Sequence, residues 1–186
     1  CLATADALAS LAGHRRNALW HTLGVDQPTA LLAVAKRIEA QPDLFPPSEG
    51  QDIVADYAHT GLTLRRHPLA LLRAKLQAQK IVTAADLKNI QHGQRIRVAG
   101  IVTCRQRPGT ASGVTFITLE DETGYSNVVV WRDLANKQRR VLLAASLMGV
   151  EGILERKGEV MHVIAKRLSD HSKLLGNLVI ESRDFH

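Results

Sequence analysis

The sequence predicts an α+β chain: N-terminal helices and a linker, followed by a five-stranded barrel with a helix between strands 3 and 4. Three observations predict it. Apolar residues recur at helical spacing before His92 and alternate with polar ones after Gly93. Turn residues cut the second half into short segments of strand length. The one stretch of that half with helical spacing, 132–145, falls between the third and fourth of them. The chain has 186 residues, 45% of them hydrophobic, which is enough for a packed core. It contains no run of ~18 apolar residues, so no membrane-spanning helix and no membrane partner are expected.

The elements follow in order. Residues 4–24 read as a helical hairpin, with Thr4 as a cap and breaks at Gly13 and Gly24. Residues 28–40 carry Leu31, Leu32, Ala35 and Ile38 on one side of a short helix that begins at Pro28. Pro42, Pro46 and Pro47 forbid a regular helix, so 41–50 reads as an extended linker, and 51–60 is weakly helical. His67-Pro68 opens a stronger helix through about Gln79, with Leu69, Leu72 and Leu76 on one side and Arg73 and Lys75 elsewhere. Thr83 caps a short helix to about Asn89.

The strands are expected at 95–107, 114–120, 125–131, 147–156 and 160–168. In the first, Ile96, Val98, Val102 and Cys104 share one face, and Arg95, Arg97, Arg105 and Arg107 share the other with Ile101 and Thr103. Gly100 interrupts the inner row, as expected where a strand bends to close a barrel. Three strands, a helix and two strands in this order predict an OB-fold over 93–170. The remaining units are 1–25, a linker at 26–60, a basic helical connector at 61–92 and a tail at 171–186. In the tail, Leu174, Leu175, Leu178, Val179 and Ile180 suggest a short helix.

The formal charge of +6 is unevenly placed. Residues 1–64 carry −3, residues 65–107 carry +9 and residues 108–186 carry 0. A block of that sign predicts a polyanion partner. Glu120-Asp121-Glu122 is the one acidic cluster, and at a hairpin turn it reads as solvated acids rather than a two-metal site. No metal-ligand spacing, phosphate loop or nucleophile motif occurs, so no catalytic residue, metal site or cofactor is assigned to this chain. Cys1 and Cys104 lie far apart without a C-x-x-C pattern, which fits a reducing, cytoplasmic setting. The N-terminus is no signal peptide and reads as a chain cut from something longer.

Single-stranded nucleic acid is the predicted ligand, gripped by a basic groove with aromatic platforms. The candidate residues are Arg65, Arg66, Arg95, Arg97, Arg105, Arg107 and Phe116. If Ile117 and Leu119 point inward, Phe116 points outward with Thr118 and Glu120; a bulge would reverse that. Trp131 reads as core or rim. Residues 115–124 resemble the matching segment of anticodon-binding OB domains of aminoacyl-tRNA synthetases, which implies that Phe116 stacks on a base. Gln41-Pro42-Asp43-Leu44-Phe45 resembles the bacterial sliding-clamp-binding pentapeptide. In that role Leu44 and Phe45 would fill an apolar pocket, and Gln41 and Asp43 would complete the motif. Pro42 departs from the apolar residue more common there.

The resemblance then widens. Gly61-Leu62-Thr63-Leu64-Arg65-Arg66-His67-Pro68-Leu69, Arg105-Gln106-Arg107-Pro108-Gly109-Thr110-Ala111 and the closing Ser182-Arg183-Asp184-Phe185-His186 resemble segments of the error-prone C-family (DnaE-type) bacterial DNA polymerase of the damage-induced mutasome. That resemblance implies the C-terminal region of a polymerase that extends primers past lesions. Residues 1–25 would end its helix-hairpin-helix region. Its catalytic carboxylates and their Mg2+ would lie N-terminal to Cys1. Partners implied are single-stranded DNA, a sliding clamp, and Y-family-like and RecA-like accessory subunits. The alternative is a protein-interaction module with little DNA binding of its own. Arg183, Asp184, Phe185 and His186 form either a partner-docking tail or a strap on the barrel.

Overall fold

A computed structural model describes residues 2–23, 44–109 and 113–176, with the backbone of 183–185. The expected helix at 28–40, Gln41, Asp43, the end of the expected tail helix, His186 and the side chains of Arg183, Asp184 and Phe185 lie outside the described residues. The chain forms two compact units, 1–63 and 64–186.

In the first unit the helices are α1 (Ala9–Ala12), α2 (Arg15–Leu23) and α3 (Glu49–Thr60). The first helix is shorter than its spacing suggests, because Asp6 adopts a positive φ of 63° and residues 2–8 run as turns. α3 is a full helix where weak helicity is expected. Ser48 and Gln51 form a reciprocal capping box at its start, and Gly61 closes it in the left-handed conformation. The buried Arg15 of α2 pairs with Asp56 of α3 and donates to the Asp52 carbonyl at 3.1 Å. Asp56 also accepts from the Thr63 hydroxyl at 2.6 Å.

The second unit opens with α4 (Pro68–Ala78), where Pro68 occupies the first turn and the His67 ring accepts from the Leu69 amide at 3.2 Å. A 3-10 turn, Ala85–Asn89, leads into the strands β1 (Arg95–Gln106), β2 (Thr115–Asp121) and β3 (Gly124–Val130). Then come α5 (Arg132–Lys137), α6 (Arg139–Ala144), β4 (Leu147–Lys157) and β5 (Val160–Asp170). The five expected strands and the interposed helical segment are all present, the latter broken at Gln138. The sheet runs β2-β3-β5-β4-β1, and β1 returns to pair with β2, which closes an OB barrel.

β1 serves two neighbours: residues 95–101 pair with β4 and residues 101–106 with β2. Gly100 stands at the crossing. A Cβ there would lie 2.8 Å from Leu119 Cβ and 2.9 Å from the Glu120 backbone, so only glycine permits the bend. The core gathers Val98, Val102, Ile117, Leu119, Val128 and Leu154, with Leu142 of α6 packed among them. Each such side chain contributes about 1.5–3 kcal/mol on full burial. A sixth strand, β6 (Arg183–Phe185), pairs in parallel with residues 104–106 of β1. A strand was not expected there, because three residues carry no periodicity to read; the sequence left open a strap on the barrel or a partner-docking tail.

Candidate nucleic-acid interface

The outer surface of β2 and β3 follows from alternation. Ile117 and Leu119 of β2 and Ser126, Val128 and Val130 of β3 are buried, so Phe116, Thr118 and Glu120 face outward with Tyr125, Asn127 and Val129. The register sets Phe116 opposite Val129, Thr118 opposite Asn127 and Glu120 opposite Tyr125. On the other side of β2, Gln106 of β1 stands opposite Phe116. Phe116 is 38% exposed and Tyr125 64%. They stand about 14 Å apart along the strands, at ~3.4 Å per residue over four residues. Trp131, one residue past β3, keeps the outward parity and is also exposed. The chain holds 2 Trp, 2 Tyr and 3 Phe, and one of each kind stands on this surface.

Tyr125 and Asn127 were not singled out from the sequence, and Trp131, which reads there as core or rim, is 55% exposed. The run Val128-Val129-Val130 reads as uniformly apolar, yet counting back in twos from the buried Val130 turns Tyr125 and Asn127 outward. Val129 itself is covered by Val114 and Ile164 in a small apolar patch on that outer side.

The basic candidates separate. Arg105 is a correction: it is buried and donates to the Leu142 carbonyl at 2.8 Å and the Ala145 carbonyl at 2.5 Å. The cause is a bulge between Val102 and Cys104, which shifts the parity of β1 so that Arg105 pairs opposite the inward Ile117. Its guanidinium satisfies carbonyls that α6 leaves open at its C-terminal end. Arg107 remains exposed at the start of the β1–β2 loop, beside Gln106.

Arg95 and Arg97 are exposed, but on the stretch of β1 that pairs with β4. Ala99 and Ile101 continue their outward row and are buried, so covered ground separates these two arginines from Gln106 and Phe116. Arg65 is half-buried and Arg66 exposed just ahead of α4, and each makes an interaction of its own within the chain.

The acidic cluster is a second correction. Asp121 is buried rather than solvated, accepting from the Ala84 amide and the Thr123 amide, each at 2.7 Å. Glu122 forms a two-pronged pair with Arg73, and Arg73 also lies 3.5 Å from Asp121. Burial pushes the Glu122 carboxyl up, but hydrogen bonding and the positive charge of Arg73 outweigh it and hold the group below its usual range. The same hydrogen bond raises Arg73. Burial lowers His67, and the nearby Glu120, Glu122 and Asp121 do not offset it. Among the described residues, no group of three or more His, Cys, Asp or Glu is placed to hold a metal ion.

In the first unit, Leu44 and Phe45 are held by their backbones. The Leu44 carbonyl lies 3.0 Å from the His14 ring, and the Phe45 carbonyl accepts from Arg16 at 3.1 Å. The Phe45 side chain is 84% exposed. Among the described residues, no helix is long and apolar enough to cross a membrane.

Comparison with a family model agrees with the barrel fold. Residues 96–170 match the model of the OB-fold nucleic acid binding domain. An error-prone DNA polymerase of Alkalilimnicola ehrlichii is 55% identical over 100% of the chain, which corresponds to 18% of that protein. One of Aromatoleum aromaticum is 53% identical over 99% of the chain and 17% of its own length. The chain therefore spans under a fifth of these relatives. A solved asparaginyl-tRNA synthetase from Pyrococcus horikoshii aligns over 48% of the chain and 22% of its own, at 22% identity and a TM-score of 0.42. By identity across its whole length the chain belongs, as a segment, to the error-prone DNA polymerases, and within it residues 96–170 form an OB-fold nucleic acid binding domain.

Proposed function

We propose that this chain is the part of an error-prone DNA polymerase that holds single-stranded template through the outer surface of β2 and β3. The observation that carries the reading is the placement of Phe116 and Tyr125 on one face of an OB barrel, with Thr118 and Asn127 between them. Aromatic rings stack on bases of any sequence, and hydroxyl and amide groups between them accept or donate to whatever base edge arrives. Such tolerance suits a template that carries damaged bases. Gln106 and Arg107 extend the surface toward the β1–β2 loop, one of the loops by which OB-folds hold oligonucleotides. The whole enzyme would act in lesion bypass and damage-induced mutagenesis in the cytoplasm. Its Mg2+ would be held by carboxylates outside this chain, since Asp121 and Glu122 here are engaged with amides and Arg73.

The test is single-strand binding by the chain and its Phe116→Ala, Tyr125→Ala and Trp131→Ala variants. Loss of a stacked base costs about 1–3 kcal/mol per platform. Unchanged affinity in all three would reject the surface.

A second reading, compatible with the first, is that the chain also docks protein partners. The exposed Phe45 beside Leu44 favours it. With the side chain outward and the backbone fixed by His14 and Arg16, the peptide loses little freedom when it enters a sliding-clamp pocket. Accessory subunits of the mutasome would meet the tail at Arg183, Asp184, Phe185 and His186.

A further inference from the structure

The opposite side of the barrel carries a groove of about 230 Å3 that the single-strand surface does not use. It lies over β1, β4 and β5. Register brings Arg97, Glu151 and Arg167 into one row across the three strands. In the next row Gly149 stands opposite Ser169. A Cβ at Gly149 would lie 2.5 Å from both Ser169 Oγ and His171 Nε2, so the bare backbone there is what lets these two side chains lie over the strand.

Cations outnumber acids along this groove. Ser169 Oγ lies 3.2 Å from the Gly149 carbonyl and 3.1 Å from His171 Nε2. A hydroxyl has one hydrogen: given to the carbonyl, it leaves Nε2 as the donor to Oγ. The Arg167 guanidinium has neither a hydrogen bond nor an ion pair among the described residues. Arg97 is held only at the outer limit of contact, 3.7 Å from Glu151 and 3.5 Å from the Gln79 carbonyl. Glu151 is the one acid of the lining. A second depression of about 490 Å3 shares Gln79, Arg97 and Glu151 and adds Lys80 and Arg95. Four cations thus follow one track against a single carboxylate.

We propose that this track is a phosphodiester site: a nucleic-acid backbone lies along Lys80, Arg95, Arg97 and Arg167, with one phosphate between Arg97 and Arg167 near Ser169 and His171. Two guanidinium forks in one row fit a tetrahedral anion, and four cations against one carboxylate favour a polyanion over a neutral peptide. The proposal rests on the nucleic-acid reading for the identity of the ligand, but not on the aromatic surface.

The experiment uses the chain with three probes: a single-stranded abasic deoxyribose-phosphate oligomer, inorganic phosphate and polyglutamate. Arg97→Ala and Arg167→Ala should each weaken the abasic oligomer several-fold and lower the log–log salt slope by about 0.7. Arg167→Lys should keep the slope, and amide shifts on titration should centre on Gly149, Ser169 and His171. An unchanged slope in the double alanine variant overturns the site, as does polyglutamate binding as tightly as the oligomer, or inorganic phosphate alone giving the same shifts while the oligomer gives none. Phe116→Ala and Tyr125→Ala separate the two readings. If they leave oligothymidylate binding unchanged while the arginine variants lower its slope, the aromatic surface fails and this site stands.

Discussion

Arg73 of α4 and Glu122 of the β2–β3 turn, 49 positions apart, are joined by two parallel hydrogen bonds of 2.5 and 2.8 Å. The fork meets the carboxylate with both prongs, in the geometry that makes arginine hard to replace by lysine. Asp121, beside it, ties the Ala84 amide to the same turn. The connector is thereby fastened to the barrel by three side chains around one hairpin. Arg73→Ala leaves two carboxylates half-buried or buried without their cation. It should destabilise the second unit by about 3 kcal/mol, read as a lowered urea midpoint.

Acid should destabilise the second unit in two steps. Burial keeps His67 neutral in the folded state, where its Nδ1 must remain an acceptor for the Leu69 amide. The unfolded chain takes up that proton near the ordinary value of 6.5, so stability is full above it and declines as pH falls below it. Glu122 acts lower. Its folded value is depressed, so its contribution is present above the ordinary 4.5 and is lost as pH falls through the folded value. Denaturation midpoints against pH should show both limbs. His67→Asn, which keeps a capping acceptor, should flatten the first, and Glu122→Gln the second.

Arg105 separates a structural cation from a binding one. Arg105→Met keeps the length of the buried stem but leaves the Leu142 and Ala145 carbonyls without their donor. The expected cost is about 2–3 kcal/mol of stability, with no change in the salt slope of DNA affinity. A slope that fell as it does for a phosphate contact would show that the side chain leaves the barrel to meet DNA.

The proposed clamp-binding role of Leu44 and Phe45 predicts the reverse pattern. Leu44→Ala with Phe45→Ala should abolish capture by a sliding clamp and leave single-strand affinity unchanged. Because Phe45 is 84% exposed, its own replacement should move stability by no more than about 0.5 kcal/mol. Clamp capture that persists in the double variant rejects the motif.

What could be read from the sequence was whatever repeats with the period of a strand. The inward row of β1 as far as Val102 and the bend at Gly100 follow from alternation and a single glycine, and Phe116 turns outward once Ile117 and Leu119 are set inward. What could not be read was what depends on a partner distant in sequence or on one extra residue. Nothing local to Glu122 announces Arg73, so the turn acids read as solvated. The bulge after Val102 has no residue signature, yet it reverses Arg105. The +9 block was real as a sum and misleading as a surface. Arg73 and Arg105 are taken up inside the fold, and Arg95 and Arg97 face a different neighbour from Gln106.

The crossing at Gly100 sets the route open to a bound strand. The aromatic platforms and the arginine track share only β1, and Ala99 and Ile101 between them are roofed over. A nucleic acid that touched both could not run straight along one groove. It would have to wrap around the outside of the barrel, turning a corner that the bend in β1 dictates. The occluded length would then exceed what either surface covers alone. A footprint measured in nucleotides would shorten, not vanish, when one surface is removed.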